Sequence, residues 1–238
     1  MIEIQSLRKC YGALLVLDGV DLVIEPGRVT AVVGPNAAGK TTLIKSILGL
    51  ARPDSGEIYV GGRPIDAQGQ YRASIGYMPQ IARYPDNLTG ADLFAMMSDL
   101  RGGVPRDEEL VDTLGLRSQL HKPLRVLSGG TRQKVNAALA FLFSPSVLFL
   151  DEPTAGLDPV ASRVVKDKIA TERARGKTFV LTSHVMSELE ELADDVAFLV
   201  EGRIRFAGPI HDLKKLTRQL SLERAIAHVL ENGGGLAA

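Results

Sequence analysis

Three stretches of this chain combine residue types and spacings that could do chemistry on a phosphorylated ligand. Gly34-Pro35-Asn36-Ala37-Ala38-Gly39-Lys40-Thr41 follows the apolar run Val29-Thr30-Ala31-Val32-Val33 and precedes an apolar-periodic stretch. It fits G-x-x-x-x-G-K-[ST] in the strand–loop–helix context that this pattern requires. Such a loop turns backbone N–H groups inward, and the helix start adds its positive end, so the two together suit a polyphosphate. Lys40 would reach the β- and γ-phosphates, and the Thr41 hydroxyl would bind Mg²⁺. The plain alternative is a Gly-containing turn with a solvated lysine.

The second stretch is Val147-Leu148-Phe149-Leu150-Asp151-Glu152. A buried strand ending in two acids places both carboxylates at the carboxyl edge of a sheet, where ligands of open α/β folds bind. Asp151 would help hold Mg²⁺ and its waters, and Glu152 would polarise an attacking water as general base. Alone, acids after an apolar run say little, because helix N-termini attract acids anyway. The third stretch is Leu127-Ser128-Gly129-Gly130-Thr131-Arg132-Gln133, ahead of another apolar-periodic run. Its plain reading is a helix N-capped by Ser128. A serine hydroxyl beside exposed N–H groups is also an anion site. One nucleotide held by both helix starts of a single chain would need the intervening segment to fold over. A symmetric head-to-tail pair would instead let each chain complete the other's site.

The elements that must position these groups alternate in type. Val147–Leu150, Thr178–Thr182 and Val196–Val200 are short, nearly continuous apolar runs, as strands buried on both faces read. Helical patterns lie between them: Lys40–Leu50, with Leu43, Ile47 and Leu50 on one face, Pro159 to about Arg175, and Met186–Ala193. That order implies a parallel α/β sheet with right-handed crossovers. Val20, Leu22 and Ile24 alternate with Asp21, Val23 and Glu25 before a Pro26-Gly27 turn. Together with Glu57–Val60 and Ile75–Met78 they suggest a second, partly antiparallel sheet. From Ile81 to Ser146 strand signals fade, and Leu93, Met96, Met97 and Leu100, like Val135, Leu139 and Leu142, have helical spacing. This segment reads as a mostly helical insertion. Gly233-Gly234-Gly235 reads as a frayed tail.

Composition narrows the function classes. Of 238 residues, 45% are hydrophobic and 24% charged, ordinary figures for a globular chain. The 28 Lys and Arg cancel the 28 Asp and Glu, so no basic excess supports nucleic-acid binding through phosphates. The lone Cys10 and four scattered histidines offer neither an internal disulfide nor a zinc site, and a reducing setting is expected. The N-terminal residues lack an apolar signal core. The most apolar stretch, Ala137 to Leu150, is broken by Ser144-Pro145-Ser146 and falls short of the about 20 residues that a span needs.

Taken in order, these motifs identify the chain as resembling the nucleotide-binding subunit of ABC transporters, over nearly its whole length. Leu127–Gln133 resembles the LSGGQ signature, which other P-loop NTPases lack. Gln80, in Tyr77-Met78-Pro79-Gln80, matches the Q-loop glutamine, which contacts Mg²⁺ and the attacking water. Asp158, in Ala155-Gly156-Leu157-Asp158-Pro159, matches the D-loop, and His184, in Leu181-Thr182-Ser183-His184, the switch histidine at the γ-phosphate. Tyr11 matches the aromatic that stacks on adenine. The resemblance implies an α/β fold: a P-loop NTPase core, with a RecA-like parallel sheet and an N-terminal antiparallel β subdomain, plus a helical ABC-specific subdomain. It implies one ATP-binding domain over 1–238, with core about 1–80 and 147–212, helical subdomain about 81–146 and tail 213–238. ATP and Mg²⁺ are the implied cofactors. Gly34 to Thr41 and Thr42 would hold ATP, while Ser128, Gly129, Gly130 and Asp158 would hold the ATP of a second subunit. Thr41, Gln80 and Asp151 would serve Mg²⁺, and Glu152, Gln80 and His184 would serve hydrolysis.

The same resemblance implies partners. Two nucleotide-binding subunits would sandwich two ATP molecules, and loss of the γ-phosphate would loosen the pair and drive separate integral membrane permease subunits. The chain would then sit peripherally on the cytoplasmic face of the membrane. Docking helices would press near Gln80–Leu93, with Tyr84, Phe94, Met96 and Met97 as candidate contacts. The short tail, with Leu213, Leu216, Leu220, Ile226, Val229 and Leu230 at helix-like intervals, resembles the ABC-2 exporter group. Tyr77–Pro85 and Ser128–Val135 resemble the ATPase subunit that supports nitrous oxide reductase maturation and copper-site assembly. The alternative is a soluble ABC-type ATPase acting on the ribosome or DNA. The chain departs from the family pattern at Ala37, where glycine is usual, and at Thr131, where glutamine is common. If Ala37 takes positive φ, it carries strain of about 1 kcal/mol.

Overall fold

The computed structural model describes residues 1–66 and 68–231; the expected frayed tail at Gly233–Gly235 lies outside the described residues. The chain forms two compact units, Met1–Arg72 with Val180–Ala238, and Ala73–Phe179.

In the first unit, β1 (Ile2–Tyr11) and β2 (Leu14–Ile24) form an antiparallel pair with Ile2 opposite Ile24 and Ile4 opposite Leu22. The alternation noted in β2 is realised, with Val20, Leu22 and Ile24 buried and Asp21 and Val23 outward. β3 (Val29–Val33) belongs to another sheet, whereas β4 (Ser55–Val60) and β5 (Arg63–Pro64) complete a four-stranded sheet in the order β2-β1-β4-β5. All of β3 is buried, as expected for a strand covered on both faces. It pairs in parallel with β9 (Asp195–Val200), Val33 lying opposite Phe198, and β10 (Arg203–Pro209) adds an antiparallel edge to β9. Arg28 clamps the start of β9 through both Asp195 oxygens at 2.5 and 2.7 Å.

Among the described residues, four α-helices dress this unit. α1 (Lys40–Ile47) buries Leu43 and Ile47, but Leu50, expected on the same face, is 61% exposed. Gly49 at φ 67° ends the helix first, because a left-handed residue turns the chain away. Helices α6 (Met186–Leu192), α7 (Ile210–Thr217) and α8 (Leu222–Glu231) follow β8 (Thr178–Thr182), the strand at which the chain passes between units. Leu213 and Val229 are fully buried, while Leu216 and Leu220 face outward, so the tail pattern belongs to two helices separated by Arg218 at φ 55°.

The second unit contains β6 (Ile75–Met78) and β7 (Val147–Asp151), paired in parallel with Ile75 opposite Val147 and Met78 opposite Leu150. Ile75–Met78 was expected in the antiparallel sheet, and this register corrects that expectation. The reason is steric as well as apolar. Ile75, Gly76 and Met78 are buried, and a Cβ on Gly76 would stand 2.2 Å from the Ala140 carbonyl oxygen, so a glycine lets a helix lie directly on the strand. Between 81 and 146 the described residues form helices and turns, with only an isolated bridge from Thr89 to Pro123. α2 (Gly90–Leu100) opens on a capping box between Thr89 and Asp92. α3 (Glu109–Thr113), α4 (Gly129–Phe141) and α5 (Pro159–Ala174) follow. Phe94 is 2% exposed, which removes it from any docking surface, whereas Met96 is 48% exposed.

α5 buries charge as well as apolar surface. Lys168 reaches Asp107 and Glu109 at 2.7 Å each and Glu172 at 3.3 Å, while Glu172 also meets Arg175 at 2.6 Å and Lys177. Burial alone would raise the Glu172 carboxyl, but Lys177 and Lys168 outweigh it and hold it below the usual range. Among the described residues no helix is long and apolar enough to cross a membrane.

Candidate functional site

The first unit builds the phosphate loop from the end of β3. Val33 is held by β9, so the next residue leaves the sheet against β9's main chain. Gly34 is the residue that fits, because a Cβ there would lie 2.0 Å from the Leu199 carbonyl oxygen. Gly39 closes the loop at φ 106°, with a would-be Cβ 2.8 Å from the Val16 carbonyl oxygen of β2. It also N-caps α1 and, being a glycine, supplies no side-chain cap. Lys40 arches back and donates from Nζ to the Gly34 and Pro35 carbonyl oxygens at 2.7 and 3.0 Å. The condition placed on Ala37 is met: it stands at φ 64°. Asn36, Ala37 and Thr41 are exposed, Ala38 is buried, and Thr42 is half-buried. Tyr11, about half exposed, ends β1 with the Lys9 ammonium 5.2 Å from its ring centre. His184 is exposed in the turn after β8.

The second unit builds the acidic pair. β6 and β7 run in parallel, so the chain leaves both at the same sheet edge, and Gln80 and Glu152 meet there. Gln80 Nε2 donates to Glu152 Oε1 at 3.1 Å. Asp151 is buried at the end of β7. Its charge, second to burial itself, pushes the Tyr77 hydroxyl up. Glu152 sits at φ 53°, a left-handed conformation that a glutamate rarely takes. Its carbonyl oxygen accepts from Gln133 Nε2 at 3.3 Å.

Ser128 caps α4 as its residue type suggests, accepting from the Thr131 N–H at 3.1 Å. Thr131, the departure from the signature, adds an Oγ–Oγ contact of 2.9 Å to Ser128. A Cβ on Gly129 would meet nothing within 4 Å, while one on Gly130 would stand 3.0 Å from the Gly156 carbonyl oxygen. Asp158 caps α5 by accepting from the Ala161 N–H at 2.9 Å, with Pro159 at the first helical position. Lys134 bonds it at 2.8 Å and holds its carboxyl below the usual range. Lys134 is the residue that motif reading passes over. The only signal in the sequence is that it lies four residues after Gly130, on the same helix face.

These site residues divide between the units. Tyr11, the phosphate loop and His184 belong to the first; Gln80, Ser128, Gly129, Gly130, Asp151, Glu152 and Asp158 belong to the second. A family profile described as ABC transporter matches residues 17–155, more than half of the chain and the stretch holding the loop, the signature and the acidic pair. The chain belongs to the ABC transporter family. It is an ATP-binding domain of an ABC ATPase. Phospholipid-transporting ATPase ABCA3 of Homo sapiens is 36% identical over 220 residues, 89% of this chain but 13% of that protein, so the chain spans a small part of that relative. Nod factor export ATP-binding protein I of Cupriavidus metallidurans is 33% identical over 219 residues, covering 90% of this chain and 72% of the relative. Among solved structures, an ATP-binding subunit of an ABC transporter superposes with a TM-score of 0.89 at 28% identity, covering 97% of this chain and 99% of that one. A nucleotide-free ATP-binding cassette from an ABC transporter superposes at 0.72 with 23% identity over 88% of this chain and 91% of that one, a likeness of fold. The ABC fold is thus the P-loop NTPase arrangement of parallel strands and helices that the motifs required.

Proposed function

We propose that this ABC ATPase is the ATP-hydrolysing subunit of an exporter, driving permease subunits that are separate chains. In this reading two copies face each other, and each ATP is held by the Gly34–Thr42 loop of one copy and by Ser128, Gly129, Gly130 and Asp158 of the other. Tyr11 stacks on adenine. Lys40 exchanges its two loop carbonyls for the β- and γ-phosphates. Glu152 polarises the attacking water, oriented by Gln80, and His184 contacts the γ-phosphate. The observation that carries the reading is the Gln80–Glu152 bond at 3.1 Å, which assembles a water-polarising carboxylate from two loops that ABC ATPases use together. The export direction follows the likeness to the Nod factor export protein.

Each of the proposed donors suits Mg²⁺ by its chemistry. Thr41 offers a hydroxyl and Asp151 a carboxylate, while Gln80 gives its N–H to Glu152 and keeps its amide oxygen for a cation. Mg²⁺ prefers hard oxygens and takes few protein ligands beside phosphates and water. A cage is accordingly unnecessary, and none of three or more His, Cys, Asp or Glu exists among the described residues. When bound, Mg²⁺ would neutralise phosphate charge. The residues of this chain then divide the work: Lys40 and the loop N–H groups grip, Glu152 takes a proton from water, and loss of the γ-phosphate releases the second copy.

Steady-state ATP hydrolysis and nucleotide binding test the roles together. Glu152→Gln is expected to bind ATP normally and lose turnover by about 10²-fold or more. Lys40→Ala is expected to lose binding itself. Full turnover by Glu152→Gln would reassign the base, and unchanged affinity in Lys40→Ala would refute the phosphate-loop role. Recovery with a multi-spanning permease supports the motor, and recovery with ribosomes or DNA supports the soluble alternative.

A further inference from the structure

The first turns of α4 present one stripe to the loop 152–158. Gly130, Gln133 and Lys134 stand at positions i, i+3 and i+4, which fall on one face of a helix. Each meets a different residue of that loop. The Gly130 Cα approaches the Gly156 carbonyl oxygen so closely that a Cβ would sit at 3.0 Å. Gln133 Nε2 donates to the Glu152 carbonyl oxygen at 3.3 Å, and Lys134 Nζ donates to Asp158 Oδ2 at 2.8 Å. The same helix begins at Ser128, and its face continues into the buried Ala137 and Ala138.

The stripe therefore fixes two groups that need fixing. Glu152 at φ 53° is held by its surroundings rather than by its own preference, and its carbonyl has a donor in Gln133. Asp158 caps α5 with one carboxylate oxygen and accepts Lys134 with the other. We propose that Gln133 and Lys134 are positioning residues that tie the Ser128 tip of α4 to Glu152 and Asp158 of the same chain. The tip, which serves the partner's triphosphate, and the carboxylate, which serves the chain's own, then move as one piece. Occupation of one site of the pair readies the other through a single helix face. This inference rests on the proposed function, because it gives Glu152 and Ser128 the roles assigned there.

The test measures ATP hydrolysis by the full chain in parallel with nucleotide affinity and urea unfolding. Gln133→Met keeps length and removes the donor; Gln133→Glu, nearly isosteric, carries the test if the methionine variant does not fold. The expected result is a kcat lowered about tenfold with ATP affinity and unfolding midpoint unchanged, the split that loss of orientation produces. Lys134→Met is expected to lose turnover similarly, with Lys134→Arg restoring it. Combined with Ser128→Ala, Gln133→Met is expected to cost no more than the worse single variant, because residues acting as a unit are not additive. Wild-type kcat in the Gln133 and Lys134 variants, or effects that multiply with Ser128→Ala, would overturn the inference. Glu152→Gln separates the two levels. If it is inert while Gln133→Met is normal, the stripe alone fails; if Glu152→Gln turns over fully, the assigned role of Glu152 fails first.

Discussion

The chain has two glycine-bearing helix starts, and they differ in what the glycines are for. In the phosphate loop, Gly34 and Gly39 are demanded by the chain's own backbone: Leu199 and Val16 carbonyls occupy the space a side chain would need. At the start of α4, a Cβ on Gly129 would meet nothing within 4 Å beyond its own helix and the residue has no left-handed φ, so nothing in the chain itself requires a glycine at that position. The phosphate loop is backed by its own strands at Gly34 and Gly39, and Lys40 bonds its first two carbonyls. The α4 tip is bare. In the proposed function the first start grips the chain's own ATP and the second meets the ATP of the other copy.

Substituting alanine at each start should expose that difference. Gly34→Ala has the largest expected effect, since the methyl cannot avoid the Leu199 carbonyl without moving β9. The cost is placed at roughly 3 kcal/mol, the upper end for overpacking, and read by urea unfolding. An unchanged midpoint would show that the loop is not enclosed. Gly129→Ala should go the other way in stability, by up to about 1 kcal/mol, because alanine is the better helix former. Its ATPase rate should nonetheless fall, as the added methyl crowds the surface offered to the partner's phosphate. Wild-type turnover would mean that the open tip holds no ligand. Ser128→Ala should cost about 1 kcal/mol as a lost N-cap together with turnover. Ala37→Gly is the smallest effect. Relief of about 1 kcal/mol of left-handed strain is partly offset by the freer unfolded chain, so the urea midpoint should rise only slightly. A midpoint equal to or below that of the parent protein would remove the strain argument.

Elements buried on both faces were legible in the sequence, and elements defined by their partners were not. Val147–Leu150, Thr178–Thr182 and Val196–Val200 are strands within one residue of their apolar runs, because full burial leaves no polar side to blur the pattern. Ile75–Met78 was recognisable as a strand but assigned to the wrong sheet. Four residues carry no record of their neighbour, and the clue was Gly76, which admits the Ala140 carbonyl. The helical spacing of Leu93, Met96, Met97 and Leu100 marked α2, but the helix buries Leu93 and Phe94 and leaves Met96 and Leu100 outward. At the site, residue types announced the loop, the acids and the serine cap. Long-range ties did not show: Lys134 and Asp158 are separated by the rest of α4 and by β7, and only the folded unit brings them to 2.8 Å.

The central claim is that two copies meet front to back over ATP, and the mass of the Glu152→Gln protein tests it most directly. In sedimentation with saturating ATP, the account expects this variant to double its mass, to return to a single chain with ADP, and to stay single with ATP once Gly129→Asp is added. A single-chain mass with ATP bound at full occupancy would contradict it.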